Sequence, residues 1–170
     1  MYREEINNVL LGQTINYEGV FSSRELFKLI DTFLKSKGYQ KKILNDNESQ
    51  TPNGRQINLK IRPYNKPKGD IAMELQIFIK IKDMVDTIRE IDDRKVKFDR
   101  GKITIIIDAF LVTNLRGKWE SRAEYYLIRT IFDKYLFKPD PSKYLGKVKS
   151  HAVDLKNELH GFLNLYKFLY

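Results

Sequence analysis

Residues 71–81 read Ile-Ala-Met-Glu-Leu-Gln-Ile-Phe-Ile-Lys-Ile, with an apolar side chain at every odd position. Successive side chains of a strand point to opposite faces, so this spacing predicts a long antiparallel strand with one buried face. The even positions carry Ala72, Glu74, Gln76, Phe78 and Lys80. Upstream, Ile57, Leu59 and Ile61 alternate in the same way with Gln56, Asn58, Lys60 and Arg62. Downstream, Ile103, Ile105, Ile107, Ala109 and Leu111 repeat the pattern, but Ile106, Phe110 and Val112 make the second face apolar as well. That strand is expected at the centre of the sheet or covered on both sides.

Working outward, turn chemistry separates these segments: Thr51-Pro52-Asn53-Gly54, residues 63–69, Asp92-Asp93 and Asp99-Arg100-Gly101. Short strands are expected at 39–45, 85–91 and 95–98, and another at 16–21. Residues 1–14 are weakly specified, with Ile6, Val9 and Leu10 able to form one amphipathic turn. Ser22 and Glu25 then form a capping box, in which each side chain satisfies an otherwise orphaned helix amide, with Phe21 placed to staple onto Leu26. Leu26, Leu29, Ile30, Phe33 and Leu34 give that helix one apolar face, and Gly38 is placed to end it.

A second capping box, Ser121 with Glu124, predicts a helix over 121–137. After Asp140-Pro141, Leu145, Val148, Ala152, Leu155, Leu159, Phe162, Tyr166 and Leu169 recur at spacings of three and four. This is one apolar seam on a helix of about seven turns, and the 71–81 strand offers it an apolar surface to lie on. The expected fold class is α+β: a curved antiparallel sheet of five to six strands gripping a long C-terminal helix, with one helix after the first strand and one before the last helix.

Length and composition fit a single domain over 1–170, because a chain of 170 residues buries about 70% of its unfolded surface without staples. The absence of cysteine removes disulfides, thiol nucleophiles and cysteine-built metal sites, and fits a reducing compartment. No apolar run is long enough to span a membrane, and the N-terminus lacks the pattern of a signal peptide. A cytoplasmic location is therefore expected. The formal charge of +9 favours acidic partners such as RNA, a ribosome, an anionic membrane or an acidic protein face.

The element order resembles the helix-grip superfamily, the START-like and polyketide-cyclase-like group, over residues 15–170. That resemblance implies a sheet wrapped around the last helix and, between them, a site for lipids or other apolar molecules. The group usually has two short helices after the first strand, where one long helix is read here, and it has no counterpart of the 121–137 insertion. The chain also resembles small uncharacterised archaeal proteins through Lys118-Trp119-Glu120 and the stretch Phe162-Leu163-Asn164-Leu165-Tyr166-Lys167.

Candidate ligand-pocket residues on this reading are Met73, Leu75, Ile77, Ile105, Ile107, Leu155, Leu159 and Phe162; the alternative is that they simply fill the core. Candidate anion contacts are Lys41, Lys42, Arg55, Lys60, Arg62, Tyr64, Lys66, Lys68, Phe78, Lys80 and Lys82, where cations interleave with aromatic rings. The same residues would also suit an ordinary solvated face whose lysines guard the sheet edge.

Catalytic chemistry finds little footing. His151 and His160 fall on opposite sides of one helix and cannot share a metal. Asp108, inside an isoleucine-rich strand, is the one acid that stands out, with an outward position or a pairing such as Arg122 as the simpler account. No phosphate loop or hydrolytic triad is present, so neither enzyme activity nor a cofactor is expected. The tail from Phe162 is apolar nearly all round and needs cover from the sheet, a homodimer contact or a membrane interface. The leading expectation is a binding module for an apolar ligand or partner molecule. The second is an RNA- or ribosome-associated protein using the outer sheet face. A structural, self-assembling subunit is the third.

Overall fold

The computed structural model describes residues 5–113 and 141–169. Its elements are β1 (Glu5–Phe21), α1 (Ser23–Ser36), β2 (Ile43–Thr51), β3 (Gly54–Ile61), β4 (Tyr64–Lys68), β5 (Ile71–Ile91), β6 (Arg94–Thr113) and α2 (Pro141–Leu169). The strands form one curved antiparallel sheet in the order β1-β6-β5-β3-β2. β4 also pairs with β5, continuing the edge that β3 occupies further along. This is the expected α+β architecture, with α2 packed on the sheet. The expected helix at 121–137, with Ser121, Arg122 and Glu124, lies outside the described residues.

The odd positions of β5 from Ile71 to Ile81 and of β6 from Ile103 to Leu111 are all buried, in one cluster with Val148, Ala152, Leu155, Leu159 and Leu163 of α2. Each such side chain gains roughly 1.5–3 kcal/mol on burial, which is what holds the helix to the sheet. α1 joins the same cluster through Leu26, Ile30, Phe33 and Leu34. Its start is the expected cap: Ser22 Oγ accepts the Glu25 amide at 3.2 Å. At its other end the Lys37 and Tyr39 amides donate to the carbonyls of Phe33 and Leu34.

The seam of α2 departs from expectation at its end. Leu163 rather than Phe162 is fully buried, while Phe162 and Tyr166 are only partly covered and Leu169 is exposed. At 3.6 residues per turn a buried stripe drifts around the helix, and two successive steps of four (155, 159, 163) carry it past Phe162. Leu165 and Phe168 are exposed too, Phe168 at 86%.

Several local expectations are corrected. Residues 5–14 are the first half of a continuous β1, paired with β6 from Glu5–Thr113 to Phe21–Asp99. Bulges between Asn8 and Gln13 change the parity of the inward positions twice: Asn7 faces Leu111, Leu10 faces Ala109 and Gln13 faces Ile107. No simple alternation survives such shifts. The stretches 85–91 and 95–98 are not separate short strands. They continue β5 and β6, which from the Thr87–Phe98 pair onward form a two-stranded ribbon beyond the end of β1, closed by Asp92-Asp93. Both aspartates have positive φ, 47° and 59°, as a tight two-residue hairpin turn requires. The 39–45 strand is reduced to a Gln40–Tyr64 bridge followed by β2, and residues 63–69 hold β4 rather than only a turn.

Asp99-Arg100-Gly101 is not a turn but part of β6. Its glycine faces a bulge in β5 between Lys82 and Val85, where Asp83 has φ 53°. A Cβ on Gly101 would lie 2.9 Å from the Lys82 carbonyl oxygen, and one on Gly54 of β3 would lie 2.8 Å from that of Met84. The bulge is therefore flanked by a glycine on each neighbouring strand, because only glycine admits the bulged backbone so closely.

Candidate polyanion-binding face

The face of the sheet away from α2 is set by the even positions of β3, β5 and β6. Strand register places Lys60, Phe78, Ile106 and Thr14 in one row across four strands. The next row holds Asn58, Lys80, Thr104 and Asn16, and the one after it Lys82, Lys102 and Glu18. On the other side of the Phe78 row, Gln76 faces Asp108, and beyond them Glu74 faces Phe110. Neighbouring strands lie about 4.8 Å apart and successive rows about 6.8 Å apart, so these side chains form one contiguous patch.

The carboxylates of this patch are each engaged. Glu74 accepts from Arg62 Nε at 2.6 Å, Glu18 lies 3.9 Å from Lys102 Nζ, and Asp83 accepts from Gln56 at 3.1 Å. Asp108 accepts the backbone amide of Gly12 at 2.7 Å, and Gln76 donates to its second oxygen at 3.5 Å. Asp108 thus faces outward, where it holds the β1 bulge at Gly12, a glycine with φ 69°. Lys60, Lys80 and Lys82, by contrast, make no ion pair among the described residues. Lys82 is exposed, and Lys60 and Lys80 are half-buried beside Phe78. The opposite end of the face differs, since Ala72 and Val112 are buried there.

The other candidate cations are dispersed. Arg55 sits among Glu48, Asp86 and Asp99, at 3.6, 3.2 and 3.4 Å. Asp86 is also held below the usual carboxylate range, first by its hydrogen bond from Lys97 and then by the charges of Lys97 and Arg55. Lys41 pairs with Asp31 at 2.8 Å. Arg62, besides binding Glu74, lies 5.4 Å from the Phe110 ring. Tyr64 donates to Gln40, with Lys66 Nζ 5.5 Å from its ring. Lys42 and Lys68 are exposed, on the approach to β2 and at the end of β4. The structure therefore unites Lys60, Phe78, Lys80 and Lys82 and adds Lys102, Asn58 and Thr104, which sequence reasoning missed. The even positions of 102–110 carried that signal, once β6 is known to lie beside β5.

The ligand-pocket candidates lie on the other face. Met73, Leu75, Ile77, Ile105, Ile107, Leu155 and Leu159 have no solvent exposure, so each meets protein atoms on every side. Phe162 is half-buried and lines an open groove of about 390 Å3 between α1 and α2, with Leu29, Phe33, Glu25 and Glu158.

Among the described residues, one charged or polar side chain of α2 is buried. His151 is 6% exposed, and its Nδ1 lies 3.0 Å from the Tyr39 hydroxyl. Burial lowers its pKa, assisted by Lys37 and Lys147 and opposed by Asp154, while burial raises that of Tyr39. His160 is exposed and contacts Asn164. Among the described residues, no helix is long and apolar enough to cross a membrane. No protein-family model matches this chain, and no curated protein or solved structure is significantly similar to it.

Proposed function

We propose that this protein is a non-enzymatic binding module whose outer sheet face holds a polyanion, in the manner of an RNA- or ribosome-associated factor. One observation carries the reading: the carboxylates of that face are engaged within it, while Lys60, Lys80 and Lys82 have no acidic partner among the described residues. Three adjacent ammonium groups repel one another, and a multivalent anion relieves that repulsion while releasing its own counterions. The frame is read as helix-grip-like, with the sheet and α2 serving as a rigid support. The apolar-ligand reading is less favoured, because a molecule between sheet and helix would have to lift the buried α2 seam off β5 and β6.

The test uses heparin, a polyanion without bases, and the full chain. Affinity is expected to fall steeply with salt, and Lys60→Glu/Lys80→Glu/Lys82→Glu is expected to weaken binding more than tenfold at low salt with the fold unchanged by circular dichroism. Equal affinity of the parent and the triple variant would sink the reading.

A further inference from the structure

We propose that the occupant of this face is single-stranded nucleic acid, with one base stacked on Phe78 and the flanking phosphates held by Lys60, Lys80 and Lys82. This rests on the polyanion reading above and goes further by naming the partner. The starting point is an aromatic ring in an outward row. Phe78 is half-buried and still presents part of its ring to solvent. Its neighbour across one strand is Lys60, its neighbour across the other is Ile106, and Lys80 stands two residues along its own strand. A purely ionic site has no use for a phenyl ring at the end of its row of lysines, where Lys60 and Lys80 adjoin it on one side and Gln76 follows on the other. A nucleotide does, because every base has an apolar face to stack while its phosphate needs a cation nearby.

The surrounding groups fit the same ligand. Asn58 lies beside Lys80, and its side chain makes no hydrogen bond among the described residues, leaving both a donor and an acceptor for a base edge. Thr104 and Asn16 complete that row with a hydroxyl–amide pair at 3.0 Å. Single strands suit such a surface better than a duplex. Their bases can splay onto a sheet, whereas a duplex presents its backbone and keeps its base faces stacked inside. Lys60 is about 4.8 Å from Phe78 in the strand-to-strand direction and Lys80 about 6.8 Å along the strand. Flexible lysine side chains at those distances reach the phosphates on either side of a stacked base.

A simpler role for Phe78 is cross-strand packing with Ile106, an aromatic–β-branched pair that stabilises a sheet by itself. The two roles make different demands. Packing accepts leucine; stacking requires a ring. The experiment therefore compares Phe78→Leu and Phe78→Tyr in the full chain, with a fluorescent ten-nucleotide single strand of uridines, the corresponding RNA duplex, heparin and anionic lipid vesicles as probes. Stacking predicts that Phe78→Leu binds the single strand roughly tenfold more weakly, that Phe78→Tyr restores it, and that neither changes heparin affinity. If Phe78→Leu leaves single-strand affinity intact, the stacking proposal is overturned while the polyanion reading stands. Duplex or vesicles bound as tightly as the single strand would likewise overturn it in favour of a site indifferent to bases. Loss of all salt-sensitive binding, heparin included, would remove the underlying reading instead. Thermal melting of each variant separates these outcomes from simple unfolding.

Discussion

On β5, Ile77, Ile79 and Ile81 have no solvent exposure, while Phe78 and Lys80 between them are partly exposed. The same strand thus belongs to two chemistries. Its inward residues are fixed by volume: they are fully buried in the cluster that also holds the α2 seam. Its outward residues are set by polar pairing: Glu74 is held by Arg62, while Lys80 and Lys82 have no acidic partner among the described residues. The difference teaches where substitution should register. Changes to the inner face should be read out in stability, and changes to the outer face in binding.

The largest break in that contrast should come from Leu155→Ala, which leaves a hole between α2 and the sheet. A loss of about 2–5 kcal/mol is expected in urea unfolding; a loss below 1 kcal/mol would mean that the seam is not closely packed. His151 gives a smaller, pH-dependent effect on the same side. Burial lowers its folded-state pKa below the ordinary value of 6.5, so the unfolded chain binds the proton more readily. Its contribution is present above pH 6.5 and is lost as the pH falls through the folded-state value. Stability should therefore drop between pH 7.5 and 5.5, and His151→Gln, which keeps an acceptor for the Tyr39 hydroxyl, should flatten that profile. An unchanged slope would place the acid sensitivity elsewhere. The smallest effect belongs to the outer face: Lys80→Gln should shift stability by no more than about 0.5 kcal/mol while measurably weakening heparin binding. A larger destabilisation would show that this lysine supports the sheet.

The inner face was largely legible in the sequence because its signals are local. The alternation from Ile71 to Ile81, the Ser22–Glu25 cap and the Asp92-Asp93 reversal each depend on residues only a few positions apart. What escaped depends on other strands. The first half of β1 was obscured by bulges that shift its parity, and their support, Asp108 on the Gly12 amide, is 96 residues away. Gly101 was misread as turn chemistry because the sequence does not reveal that a bulged backbone lies against it. Arg55 looked like a surface cation, and its acidic partners Glu48, Asp86 and Asp99 arrive from three separate strands. The site was legible as a list of lysines and rings, but not as a patch. Which cations are neutralised, and which lie beside Phe78, is decided by register alone.

The bulge at Asp83–Met84, pinned between Gly54 and Gly101, also divides the molecule for purposes of change. On one side lies a sheet whose every register position is tied to α2 or to the outer face. On the other, Arg100 and Asp99 still pair with Val20 and Phe21 of β1, and Phe98 sets its ring edge-on to Tyr166 of α2. Only beyond the Thr87–Phe98 pair do the two strands pair with nothing but each other up to their turn. Beyond that pair, residues can enter or leave in opposed pairs, one from each strand, without altering which face any sheet residue occupies. The outer part of the ribbon is thus a length-adjustable module, while α2 and the lysine patch stay where they are.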